Sequence, residues 1–220
     1  MSASARHRQL GSSLAKLRKA LLPRKFDPTG SYRNTQSVHV KAVSFRLLVH
    51  AEIESYLEDK ALELATAGWN VWKAKRISTD VSVGLLAFAG FEMFKPPKKL
   101  GGDGSNQKAY EDCGSALERS HGTWRYDHKN NHGVKEENVL ALYLPLGLPI
   151  AALDSTLLAD LSSYGASRGQ VAHASSLSVA TFADPKTEFE KAKNLIDDLM
   201  KLDTSVALAL DRIQRVLSVL

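Results

Sequence analysis

Cys113 is the only cysteine in this 220-residue chain. One thiol closes no internal disulfide and supplies no multi-cysteine zinc site, so a reducing cytoplasm is the expected setting. Long apolar runs are also missing. No stretch approaches the roughly 18 uninterrupted apolar residues that span a bilayer, and there is no apolar signal-peptide core, so no membrane partner is expected. Acidic residues are absent from the first 25 positions, which hold Arg6, Arg8, Lys16, Arg18, Lys19, Arg24 and Lys25. The rest of the chain is nearly neutral, with 22 basic against 24 acidic residues, although the whole carries +5. Residues 1–25 are therefore set apart as a basic arm, preceding a domain over 26–220. Such an arm could solubilise or dock, contact phosphates, or serve as an Arg-rich targeting segment.

Period-two alternation is lacking over any useful length, which predicts an all-α domain. No repeat of solenoid period is present. Nor is there a GxxxxGK[ST] loop, a GxGxxG after a strand, an HExxH or a GxSxG. "GGDG" (101–104) has no strand leading into it and is expected to be a turn.

What the chain does have is helical spacing. Residues 23–37 read as loop, rich in Pro, Gly, Ser, Thr and Asn. From Lys41 to about Lys75, Phe45, Leu48, Val49, Ile53, Tyr56, Leu57, Leu62 and Leu64 recur every three or four positions, with Gly68 a candidate bend. A second helix should begin at a Ser78 or Thr79 cap and stop at Pro96-Pro97. A third, from about Asn106, carries Tyr110, Cys113, Leu117 and Trp124, and exits through "HKNNHG" with Gly133 closing it. "EENVLALYLPLG" is a short helical piece ended by Pro145 and Gly147. Asp154-Ser155 should cap a helix running into "YGASRGQVAH". Asp184-Pro185 is a start signal for a long amphipathic C-terminal helix with Phe189, Ala192, Leu195, Ile196, Leu199, Leu202, Val206 and Leu210 on one face.

His128 and His132 stand at i, i+4, a spacing that can ligate a metal on a helix, but no nearby cysteine or third histidine completes a set. No metal site and no cofactor are expected. Arginine followed by four to six residues and then histidine occurs three times: Arg33–His39, Arg125–His132 and Arg168–His173. Metal-free RNA cleavage needs a base for the ribose 2′-hydroxyl and a cation for the charge on a pentavalent phosphorus. Histidine titrates in the useful range, and arginine's planar fork matches phosphate oxygens. The first pair lies in a loop before a helix and the second at a helix exit. The third lies in a helix rich in small residues, where a backbone or a ligand could approach closely. Five positions on a regular helix are about 140° of rotation. Arg168 and His173 thus converge only across an irregular turn near Gly169 or across a twofold axis. From spacing alone, an ordinary helix turn that happens to hold both groups is the favoured reading. Glu54 and Glu58, also i, i+4, read as competing like charges on a solvated face.

Four segments occur together in order: "DPTGSY" (27–32), "FRLLVHAEIESYLED" (45–59), "NNHGVKEENVLALYLPLGLPI" (130–150) and "SSYGASRGQVAHAS" (162–175). In this the chain resembles small bacterial HEPN-domain proteins of the RiboL-PSP-HEPN type, over about residues 26–205. The resemblance implies a HEPN-like helical bundle with a long C-terminal helix. It also implies a homodimer in which two Arg-x4–6-His motifs line one cleft. Many such proteins are metal-independent endoribonucleases, acting as toxins or in antiphage defence, some with an antitoxin or defence-system partner. The family motif sits in the late helix, which selects Arg168 and His173 as catalytic. The resemblance also offers Asn131, His132 and Glu52 as substrate-side residues, with Glu52 or Glu54 orienting Arg168 and His50 between helices. This chain departs at Gly169, where the family often has Asn, Asp or His, and so lacks a polar helper beside the arginine. Other family members are non-catalytic modules that bind a nucleotide, an RNA or a protein, which is the alternative reading.

Overall fold

The computed structural model of the chain describes residues 2–89, 113–173 and 182–218, with backbone only over 167–173. The expected Pro96-Pro97 stop, the 101–104 turn, Tyr110 and the helix start near Asn106 lie outside the described residues. Every regular element among the described residues is helical. None is long and apolar enough to cross a membrane.

Seven α-helices follow one another among these residues: α1 (Ala5–Leu21), α2 (Thr35–Lys75), α3 (Asp80–Phe88), α4 (Cys113–Asn130), α5 (Glu136–Tyr143), α6 (Ser155–His173) and α7 (Pro185–Ser218). Two short 3-10 turns, Leu144–Leu146 and Ile150–Ala152, join α5 to α6. Local chemistry sets most of the boundaries. Asn34 Oδ1 accepts the Ser37 N–H to start α2, and Arg76 ends it in the left-handed region at φ 56°. Thr79 and Ser82 form a reciprocal capping box on α3. Asp154 Oδ1 accepts from the N–H groups of Thr156 and Leu157. Asp184 does the same for Thr187, with Pro185 as the first helical residue of α7.

α2 is the spindle. Its 41 residues extend for about 60 Å at 1.5 Å each, and α1, α3, α5, α6 and α7 all pack on it. Burial on several sides explains why a single apolar stripe describes α2 poorly. Phe45, Val49, Ile53, Tyr56, Leu57 and Leu64 are buried as the spacing predicts, whereas Leu48 is 47% exposed. The helix runs unbroken through Gly68, whose missing side chain admits Val81 of α3; a β-carbon there would lie 2.5 Å from that of Val81. Gly147, at φ +75°, closes the first 3-10 turn so tightly against α3 that a β-carbon would sit 2.3 Å from the Asp80 carbonyl oxygen.

Residues 5–21 correct the expectation of a separate basic arm. They form α1, which packs on α2 and α7 with Leu10 fully buried and Leu14 and Leu22 nearly so. Ser4 caps the helix by accepting the His7 N–H, and Asp203 of α7 in turn accepts from both the backbone N–H and the hydroxyl of Ser4. Arg8, Lys16 and Lys19 are exposed on the outward face of this helix, whereas Arg6 pairs with Asp59 of α2 at 2.7 Å and Arg18 lies over Phe26 and Phe189. Further along the same pair of helices, Arg46 of α2 makes a two-pronged ion pair with Glu188 of α7, at 2.7 and 2.5 Å.

Candidate functional site

Three of the four segments quoted above meet at one junction. The Tyr164 ring of α6 stacks on the buried His50 ring of α2 at 6.2 Å and 14° between planes. The Tyr164 hydroxyl donates to the Arg46 carbonyl at 3.2 Å. One residue on, Gly165 is so close to the turn entering α5 that a β-carbon would lie 3.3 Å from Lys135 Cγ and 3.4 Å from Val134 Cγ2. Ser162 Oγ accepts the Glu136 N–H at 2.9 Å, fastening α6 to the start of α5.

The "NNHG" segment is held rigidly beside this junction. Asn131 and Asn138 clasp each other, Asn131 donating to the Asn138 carbonyl at 3.0 Å and Asn138 donating to Asn131 Oδ1 at 2.7 Å. Gly133, at φ +125°, turns its N–H onto Glu54 Oε1 at 2.6 Å. The other Glu54 oxygen lies 3.5 Å from His50 Nδ1. Glu54 thus couples α2 to the segment that touches α6.

A groove of about 580 Å³ opens between α2 and α4, lined by Glu54, Glu58, Arg125, His128, Lys129 and His132 among others. His128 Nε2 lies 3.0 Å from the Glu58 carbonyl oxygen, a contact in which the ring nitrogen donates. Burial pushes the Glu58 carboxyl above its ordinary range and the neighbouring Glu54 raises it further, while His128 and His132 pull it the other way. Glu54, Glu58 and His132 each bring one ligand-type atom to within 4.8 Å of the other two.

The sequence-derived residues fall as follows. Arg168 and His173 belong to α6 beyond Gly165; their side chains lie outside the described residues. His132 is exposed at the groove, while Asn131 is engaged in the clasp. Glu52 is half-buried on α2 but stands about 200° around the helix from Glu54. The glutamate that reaches the 131–133 segment is therefore Glu54. His50 is an interhelical residue, as expected. Arg33–His39 is structural at its histidine, which lies inside α2 rather than before it. His39 is buried, and its Nδ1 accepts the Ala183 N–H at 3.0 Å. Arg125 and His132, set aside from the sequence as a helix exit, both line the groove.

Sequence reasoning missed the Glu54–Glu58–His132 grouping. The available signal was the i, i+4 carboxylate pair, which one expects to repel and which a cation would relieve. The third member is 74 positions away and comes near only through the fold. No family model, no curated protein and no solved structure matches this chain.

Proposed function

We propose that the protein is a metal-independent endoribonuclease of the HEPN type, working as a homodimer on RNA in the cytoplasm. The observation that supports it best is the junction just described. There "FRLLVHAEIESYLED", "NNHGVKEEN" and "SSYGASRG" touch through His50, Gly133 and Tyr164–Gly165, so three of the four segments that carry the resemblance pack together. In this reading His173 removes the proton from the ribose 2′-hydroxyl, whose oxygen attacks the adjacent phosphorus. Arg168 stabilises the charge on the phosphorane oxygens, and His173 of the partner subunit, in its protonated form, gives the leaving 5′-oxygen its proton. The products carry a 2′,3′-cyclic phosphate and a 5′-hydroxyl. Two copies of α6 facing each other across a twofold axis supply what one helix, with 140° between the two positions, does not. A toxin or antiphage role, restrained by an antitoxin or defence-system partner, follows from the same resemblance.

The test is cleavage of mixed RNA by purified protein in EDTA. Cleavage that persists in the chelator and falls by about 10²-fold or more in both Arg168→Ala and His173→Ala is the expected outcome. Cleavage abolished by EDTA and restored by magnesium overturns the mechanism. Gly169 favours a second reading, a non-catalytic helical module that binds a nucleotide, an RNA or a protein. Wild-type protein with no cleavage at any concentration that supports dimers would select it.

A further inference from the structure

We infer that Glu54, Glu58 and His132 form a binding site for a divalent transition-metal ion of the zinc type, at the floor of the groove between α2 and α4. The inference does not rest on the ribonuclease reading.

Geometry comes first. Glu54 and Glu58 are one helical turn apart on the same face of α2. His132 hangs over them from the segment that follows α4, and the three donor atoms lie within 4.8 Å of one another. In a tetrahedral zinc site, ligand atoms about 2.0–2.1 Å from the metal stand about 3.3 Å apart. Closing the remaining gap takes an adjustment of an exposed imidazole and of two half-buried glutamates, all of which border open groove.

The frame is preorganised. Glu54 gives one oxygen to the Gly133 N–H at 2.6 Å and holds the other 3.5 Å from His50 Nδ1, which together fix the carboxylate at the edge of the groove. Gly133 is the next residue after His132, so the same hydrogen bond sets the peptide that carries the histidine. His128, through the Glu58 carbonyl at 3.0 Å, ties the last turn of α4 to α2 at the level of the site. Such outer contacts orient ligands in metal sites and typically alter affinity about 10–100-fold when lost.

Charge supplies the driving force. Two carboxylates share the floor of the groove, and among the described residues no arginine or lysine forms an ion pair with either. The donor set decides the class of ion. Imidazole with carboxylate oxygens suits zinc, manganese or cobalt, whereas calcium and magnesium favour oxygen throughout. Three protein ligands leave room for water. Bound there, the ion would staple the 131–135 segment to α2, behind the turn against which Gly165 of α6 packs.

The experiment uses the full untagged chain, freed of metal with EDTA and exchanged into chelator-free buffer. It is titrated by calorimetry with zinc sulfate, and separately with manganese, calcium and magnesium chlorides, and thermal unfolding is followed in parallel. One zinc per chain, a raised melting temperature, and calcium and magnesium at least about tenfold weaker are expected. Glu58→Gln and His132→Ala should each weaken zinc about tenfold or more while keeping the helical circular dichroism and the metal-free melting temperature. Cys113→Ser, which removes the exposed thiol, should change nothing. Zinc that fails to saturate at one per chain overturns the site, as does zinc retained by both Glu58→Gln and His132→Ala or lost with Cys113→Ser. No RNA is present, so failure here leaves the ribonuclease proposal untouched, and failure of RNA cleavage leaves this site untouched.

Discussion

Two polar clusters occupy the same two turns of α2, Tyr56 and Lys60 in one alternating with Glu54 and Glu58 in the other, and they could hardly differ more. On the face toward α1 and α7, Asp203 is only 2% exposed, yet every direction around it is answered. It accepts from the Ser4 N–H at 2.8 Å, the Ser4 hydroxyl at 2.6 Å and the Tyr56 hydroxyl at 3.0 Å, with Lys60 Nζ at 3.8 Å. Lys60, itself buried, also pairs with Glu63 at 2.6 Å. On the face toward α4, Glu54 and Glu58 look into a groove with imidazoles for company. The first cluster is closed and ties the N-terminus to the core. The second borders an open groove, and among the described residues only Glu54 has a partner at its carboxylate, in the Gly133 N–H and His50. Carboxylates packed against the same helix thus become structural or available according to what packs over them.

The two carboxyl groups also titrate in opposite senses. Burial pushes Asp203 up, but the hydrogen bonds from Ser4 and Tyr56, with the Lys60 charge, outweigh it and hold the carboxyl below its ordinary value. Glu58 is held above its own. A depressed folded-state value means stability that is complete above the unfolded carboxylate range, near pH 4, and lost as pH falls through the folded value. A raised one means the reverse: the folded state binds its proton more tightly, so stability is lost as pH rises from the ordinary value through the raised one.

Breaking the closed cluster should have the largest effect. Asp203→Ala strands the Ser4 and Tyr56 donors and leaves Lys60 with Glu63 alone, and we expect a loss of about 3 kcal/mol in urea unfolding at neutral pH. The same substitution sharpens the comparison when pH is varied. The gap between wild type and Asp203→Ala should narrow as pH drops below about 4, because the wild-type carboxylate is then protonated and its contribution gone. The open cluster should yield least. In EDTA, Glu58→Gln and His132→Ala are expected to stay within about 0.5 kcal/mol of wild type, with Glu58→Gln gaining slightly on it as pH rises from 4 to 7. A large destabilisation in either would mean the groove residues are structural and the contrast false.

The N-terminal helix shows where reading by charge misleads. Seven basic residues and no acid in the first 25 positions suggested an arm. His7, Leu10, Leu14, Leu17 and Leu21 nevertheless recur at three and four, the spacing of a helix with a buried stripe, and all of them face the core. Net charge reports the outward face of such a helix and says nothing about the inward one. Leu48 is the opposite case. It keeps the apolar spacing, yet it is 47% exposed among the described residues.

The sequence by itself determined the all-α class and most helix ends. Caps at Thr79, Asp154 and Asp184, the Pro185 start, and the glycine turns at 133 and 147 act through hydrogen bonds and backbone angles within a few residues, so they are written locally. It also determined the C-terminal stripe from Ala192 to Val206, because one-sided packing imposes a period of 3.6. Only the tertiary structure decided that α1 belongs to the core, that Glu54 rather than Glu52 faces the 131–133 segment, and that His132 meets two glutamates 74 and 78 positions away. Those outcomes depend on which helices touch and at what rotation. That is fixed by the summed packing of the whole bundle around α2, and no short stretch of residues encodes it.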